Sequence, residues 1–380
     1  MVDFDKIVDR RASDSAKWRK YHGSDIIPLW VADMDFPAPP AVIEALQQRV
    51  GHGIFGYGLP SRQLAQSVVG HLHRSFGWEI ESEWIVWLPG LVSGLNAVCR
   101  TVGKEGDRIL TTVPIYPPFL SAPRNAGRIS TTTRMNRHRG LWRIDMDHLK
   151  SAIKADTRLF NLCNPHNPTG RVFTRNELTQ LAEICETHDL TICSDEIHCD
   201  LVLEPGCRHI PMASIAPEVA RRTITLMAPS KTFNIPGLSC AYAIISNNTL
   251  RRRFKRAING IVPHINVMGM VAAQAAFENG REWMRMLIAY LRTNRDLVNE
   301  TFKGLSPFVA GTVEATYLAW IDVQGLNVPS PVKWFEAAGV GLSNGMEFDG
   351  PGFMRLNFGC PRPLLEKALD RIVRATEKMP

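Results

Sequence analysis

No stretch of uncharged apolar residues in this 380-residue chain is long enough to span a bilayer, which takes about 20. The opening MVDFDKIVDRRASDSAKWRK is dense in charge and has no apolar h-region, so a soluble, cytoplasmic protein without a secretion signal is expected. No C-x-x-C pair occurs among the eight cysteines, and Cys193, His198, Cys199 and Cys207 lack a zinc-site spacing, so no metal is expected. The cysteines lie in apolar segments of a chain too long to need staples, which predicts buried thiols in a reducing compartment. A dinucleotide fingerprint is missing too. LPGLVSGLN and GVGLSNG have the wrong glycine spacing, and no P-loop is present. The net charge of +7 invites a nucleic-acid reading, but the densest basic run, RRRFKR at Arg251 to Arg256, lacks interleaved exposed aromatics. It reads as the wet face of a helix that buries Phe254. A last absence is local. No Asp or Glu stands between Glu218 and Glu278, so Lys231 in TLMAPSKTFNIPG has no nearby carboxylate to explain it.

What is present has an order. From Trp84 onward, short apolar runs (WIVWLPG, DRILTTVPIYPPF, TRLFNLCNP, LTICSDEIH, TITLMAPSK, CAYAIIS) alternate with helical patterns, which predicts an α/β architecture with a mostly parallel sheet. The segment VAAQAAFENGREWMRMLIAYLRTNRDLVNETF has helical spacing and reads as a connector. The remainder, from TYLAWIDV to the helix LEKALDRIVRATEKM, reads as a smaller α+β domain.

The apolar strands end in polar residues, and in open α/β sheets ligands bind at that edge. Asn167 follows LFNLCNPH, Asp195 follows LTICS, and Lys231 follows TITLM. A buried ammonium or carboxylate costs several kcal/mol unless it is paired, so each needs a partner or a ligand. Plainer roles exist for each. Lys231 could snorkel to solvent, Asp195 could cap a turn or meet a distant arginine, His198 could be a core histidine, and Tyr116 in PIYPPF a buried turn tyrosine. WLPGLVSGLN adds a strand, Pro-Gly and a helix start whose free N–H groups at Leu91 and Val92 suit a phosphate. A Schiff-base lysine, an acid for a ring nitrogen, a phosphate cradle and a stacking aromatic together describe pyridoxal phosphate, PLP.

The chain also resembles a family. VDFDKIVDRR, WVADMDFPAP, FGYG, NPHNPTGRVF, SDEIHCDL, SKTFNIPG, ATYLAW and FMRLNFGCPR, in this order, resemble the fold type I PLP enzymes, and among them the MalY/PatB-type cystathionine β-lyases. The resemblance implies an N-terminal segment (1–48) packing with the small domain, a large PLP-binding domain (49–285) and a small C-terminal domain (286–380). It implies that Lys231 carries PLP, that Asp195 pairs with the pyridine nitrogen, and that Asn167 bonds the phenolic oxygen with His198 nearby. Tyr116 would stack on the ring and serve catalysis. Ser230 and the backbone of Leu91 and Val92 would hold the phosphate, joined by Tyr57 from a second subunit, which would also touch substrate. A homodimer follows from that shared site. Arg355 would fork the substrate carboxylate. Related aminotransferases carry a tyrosine in place of His198 and an arginine in place of Ser239, which favours the lyase branch. Ala228 departs from the serine or threonine of many relatives, which shifts the phosphate grip towards Ser230, Tyr57 and the helix start. The expected reaction is β-elimination from L-cystathionine or another β-thio amino acid. Its rivals are an aminotransferase using the same residues and a regulatory protein on the same scaffold.

Overall fold

The structure, a computed structural model, describes residues 2–138 and 140–379. Among these residues the larger sheet has eight strands: β1 (Ile85–Leu88), β2 (Arg108–Val113), β3 (Ile129–His138), β4 (Leu141–Ile144), β5 (Thr157–Cys163), β6 (Thr191–Asp195), β7 (Thr223–Met227) and β8 (Ala241–Ile244). Their order across the sheet is β1-β8-β7-β6-β5-β2-β3-β4. The centre, from β7 to β3, is parallel, while β8 runs antiparallel to both neighbours and β4 runs antiparallel to β3. The central strands are apolar on both faces because both faces are covered. Every residue of β7 is buried, as a strand between helical layers requires.

Because β8 reverses direction between them, β1 and β7 point the same way. The C-terminal ends of β1, β2, β5, β6 and β7 therefore share one edge of the sheet. Register tightens this, since Cys163 lies opposite Asp195, and Asp195 opposite Leu226.

A second sheet follows in the chain, with β9 (Val309–Ala310), β10 (Leu318–Asp322), β11 (Ser343–Asn344) and β12 (Phe353–Asn357) in the order β9-β10-β12-β11. Arg355 sits on β12 between Trp320 and Ser343. The N-terminal segment joins this part through a short parallel pairing of Ile27–Pro28 with Val340–Gly341.

Three features differ from the expectations. The connector is two helices, Val267–Asn279 and Arg281–Lys303, broken at Gly280. A Cβ at Gly280 would lie 2.6 Å from the Phe233 ring, so only glycine allows that approach. The hairpin β3–β4 was not read from the sequence, although its run ISTTTRM is β-branched and alternating. Its outer position leaves it half exposed, without the apolar density of the central strands. Finally, the boundaries after residues 48 and 285 fall inside the helices Pro40–His52 and Arg281–Lys303. The helix Asn248–Ile258 buries Phe254 and leaves Arg252, Arg253, Lys255 and Arg256 exposed, as its pattern predicts. No helix among the described residues is long and apolar enough to cross a membrane.

Candidate active site

The shared strand edge collects the polar residues. Asp195 ends β6, and its buried carboxylate accepts one hydrogen bond among the described residues, from Ile197 N at 3.1 Å. Burial pushes its pKa up to about 7, against the pull of Lys231. A carboxylate in this state is short of a positive N–H donor.

Lys231 lies in the tight turn after β7, where Ile235 N donates to Ser230 O at 3.0 Å. Its half-buried amine donates to the carbonyl of Ala32. Loss of hydration lowers its pKa to about 8; Asp33 and Asp195 oppose that shift and Arg355 adds to it.

Arg355 is buried at the centre of the small sheet. Its Nη1 donates to Asn167 Oδ1 at 2.9 Å, its Nη2 to Trp30 O at 2.9 Å and Ser343 Oγ at 3.3 Å, and its plane lies 4.6 Å from the Phe348 ring. No carboxylate pairs with it among the described residues, and burial lowers its pKa to about 10. Asn167 thus meets Arg355 directly, although 188 residues separate them. His198 is buried beside the Tyr317 ring at 5.9 Å, with no hydrogen bond to Nδ1. Its pKa falls to about 3, through burial first and then the cations Lys231 and Arg355, so the imidazole is neutral. Tyr116 stands half-buried after β2, and Arg355 and Asp195 both act on its hydroxyl.

The helix Leu91–Thr101 starts at the same edge after β1, and Gly90 before it offers no capping side chain. Its first N–H groups therefore lack intrahelical partners. Leu91 is buried and Val92 is 46% exposed. Ser230 is half-buried beside Lys231. Tyr57 is not brought to this edge. It is fully exposed, in a segment that also exposes Ile54, Phe55 and Leu59.

Sequence reasoning missed several participants. The carbonyls of Trp30 and Ala32 touch the two cations, and Tyr317 donates its hydroxyl to Ala32 O at 2.9 Å. Backbone carbonyls leave no mark in a sequence. Thr232, next to Lys231, donates to Asp200 at 2.9 Å, and Asp200 meets His71 at 2.9 Å, a contact only the fold creates.

The orphaned groups fit PLP in kind. An acid lacking a cation, an amine at a reactive pKa, an uncapped helix start and a guanidinium with no carboxylate are what a phosphorylated pyridine aldehyde and an amino acid would engage.

Comparison with known proteins agrees with this description. Residues 24–372 match the aminotransferase class I and II family. Cystathionine β-lyase PatB of Bacillus subtilis is 35% identical over 98% of this chain and 100% of its own length. Among solved structures, OvoB is 46% identical with a TM-score of 0.97, covering 100% of both chains. The PLP-bound C-S lyase from Staphylococcus hominis is 32% identical with a TM-score of 0.91, covering 98% of this chain and 97% of its own.

Proposed function

The chain belongs to the aminotransferase class I and II family, and on that premise we propose that it is a PLP-dependent carbon–sulfur β-lyase. It cleaves L-cystathionine or a related β-thio amino acid to a thiol, pyruvate and ammonia. The observation that carries this reading is the meeting of Lys231, Asp195 and a carboxylate-free Arg355 at one strand edge, in a chain similar along its whole length to β-lyases. Ser239, at the position where related aminotransferases carry an arginine, supports the lyase branch.

When bound, PLP supplies an electron-accepting ring that stabilises negative charge at the substrate Cα. Lys231 would hold it covalently, and Asp195 would hold the proton on its ring nitrogen. Asn167 and Tyr116 would set the ring, while Ser230 and the N–H groups of Leu91 and Val92 would take the phosphate. His198, neutral in its buried setting, would add no charge to the bound group. Arg355 would fork the substrate carboxylate, a geometry that guanidinium suits and ammonium does not. Lys231, freed as an amine with a pKa of about 8, has enough neutral form near pH 7 to take the Cα proton. The electron pair left at Cα would form the Cα=Cβ bond as the Cβ–S bond breaks, the proton held by Lys231 would pass to the departing thiolate, and water would hydrolyse the imine tautomer of the released enamine to pyruvate and ammonia.

Tyr57 and its exposed apolar neighbours support a homodimer in which this tyrosine reaches the partner's phosphate site. A cytoplasmic location suits the reduced state of the eight cysteines. We divide the chain into a large PLP-binding part and a smaller C-terminal part carrying Arg355, with the N-terminal segment bridging to the latter.

Product analysis tests the reaction. Holoenzyme given L-cystathionine and no 2-oxo acid should form pyruvate, ammonia and thiol in equal amounts over many turnovers. A stall after one equivalent without pyruvate, relieved by 2-oxoglutarate, would replace this reading with an aminotransferase.

A further inference from the structure

Residues 30–36 form a strap across the site, and their backbone is held at almost every position. Asn357 Nδ2, two residues after Arg355, donates to the carbonyls of Val31 at 2.6 Å and Asp33 at 2.7 Å. Asn234 Nδ2, three residues after Lys231, donates to those of Met34 at 2.9 Å and Phe36 at 2.7 Å. Between them, Ala32 O receives Lys231 Nζ, and Trp30 O receives Arg355 Nη2. The strap thus touches both cations of the site and the segment that carries each.

Its anchor is a buried charge cluster on the far side. Asp35 is 3% exposed at its side chain, and it accepts from Lys17 Nζ at 2.7 Å, Arg10 Nη1 at 2.6 Å and Trp18 Nε1 at 3.0 Å. Lys17 is 0% exposed, and Arg10 also pairs with Asp33 at 2.8 Å. Burying such ions costs several kcal/mol each, and well-packed apolar residues often hold a fold as well or better. What the ions add is direction. An apolar contact can slide by an ångström, whereas this cluster fixes Asp35, and with it the strap, in one register.

We infer that Asp35, clamped by Lys17 and Arg10, is a positioning residue for the reaction: it sets the strap so that Ala32 O orients Lys231 and Trp30 O orients Arg355. Held through one N–H, the amine of Lys231 keeps its lone pair for another group, and Arg355, held through Nη2, keeps Nη1 towards Asn167. Lys231 is faced by Asp33 from the strap, Asp195 from β6, Arg355 from β12, the neutral His198, and Tyr317 through the shared carbonyl. Lost hydration is the strongest influence on its amine, so a loosened strap that readmits water raises the pKa even as Asp33 withdraws. The inference rests on the PLP reading in taking Lys231 as the reactive amine.

The test uses capture of PLP by the apoprotein, trapped with borohydride and mapped to Lys231, between pH 6 and 10. For the wild type the midpoint should lie at about 8. In Asp35→Asn it should rise by about one unit, with roughly tenfold slower capture at pH 7, and KM for L-cystathionine in the holoenzyme should rise more than kcat falls. Arg10→Gln, which removes a half-exposed arm of the cluster, should shift the midpoint the same way with about threefold slower capture. It serves alone if Asp35→Asn does not fold. A lowered melting temperature with midpoint and KM unchanged would reduce Asp35 to a structural residue and overturn the inference. Absence of pyruvate from the wild type would instead sink the lyase reading and leave the midpoint comparison standing.

Discussion

Asp195 and Glu196 are adjacent, both buried and treated in opposite ways by the fold. Glu196, 0% exposed, accepts from Ser194 Oγ at 2.7 Å, Met212 N at 2.9 Å and His209 Nε2 at 2.8 Å. Asp195, facing the strand edge, accepts one backbone N–H among the described residues. The same contrast separates Arg171, paired with Glu177 at 2.9 Å and Glu314 at 2.7 Å, from Arg355, which has no carboxylate. Glu196 and Arg171 each meet a group of opposite or complementary charge in the fold. Asp195 and Arg355 have no such partner among the described residues, which is the basis for proposing that a ligand supplies it.

Substitutions on the two sides should therefore diverge. The largest effect belongs to Lys231→Ala, with turnover expected to fall by about 10⁴-fold or more; borohydride reduction and peptide mapping of the wild type should place the pyridoxyl group on Lys231, and its appearance on another lysine would refute the assignment. Asp195→Asn comes next, with kcat lower by about 10³-fold, of the order of 4 kcal/mol, and PLP affinity changed far less. The apoprotein gives this variant an opposite sign in stability. Folding raises the Asp195 pKa from 3.8 to about 7, so between those values the unfolded state releases a proton that the native state keeps, and stability falls as pH rises. Above pH 7 the deficit is full, roughly 3–5 kcal/mol. Urea unfolding of apo Asp195→Asn at pH 8 should accordingly show a gain over wild type, and a loss would break the comparison. Glu196→Gln should do the reverse. It weakens a completed cluster and should cost about 3 kcal/mol in stability, at the low end of what a broken buried pair costs, while the trapped lysine remains Lys231. A Glu196 variant that kept its stability but lost cofactor capture would assign the wrong role to that side.

How much of this could be read in advance depends on the kind of group. Asn167, Asp195 and Lys231 each follow an apolar run, and alternation of strands and helices is enough to bring such ends to one edge. Arg355 needed family resemblance, because nothing in FMRLNF says which sheet position meets Asn167. Tyr57 could be named only by that resemblance, and within one chain it stands in the open. Glu196 and His209 are separated by twelve residues that form no regular element, so their pairing follows from tertiary packing. The strap was invisible in another sense. WVADMDF stood out as a motif, but apart from the Asp33 carboxylate what it presents to the two cations is main-chain oxygen, which every residue type carries alike.

The helix Arg281–Lys303 carries a mechanical consequence. Its first turn packs Trp283 against Phe233, two residues beyond Lys231; Asn294, near its middle, holds the carbonyls of Phe358 and Cys360 just after β12; and its last turn sets Phe302 against Phe308. At 1.5 Å per residue it is a rod of about 35 Å. A rotation of one degree at the Trp283 end displaces Asn294, about 16 Å along the rod, by roughly 0.3 Å and the far end by roughly 0.6 Å, on the same rise per residue. The turn that bears the amine and the strand that bears the guanidinium are thus mounted on a single beam, and a disturbance at either seat is transmitted to the other as leverage.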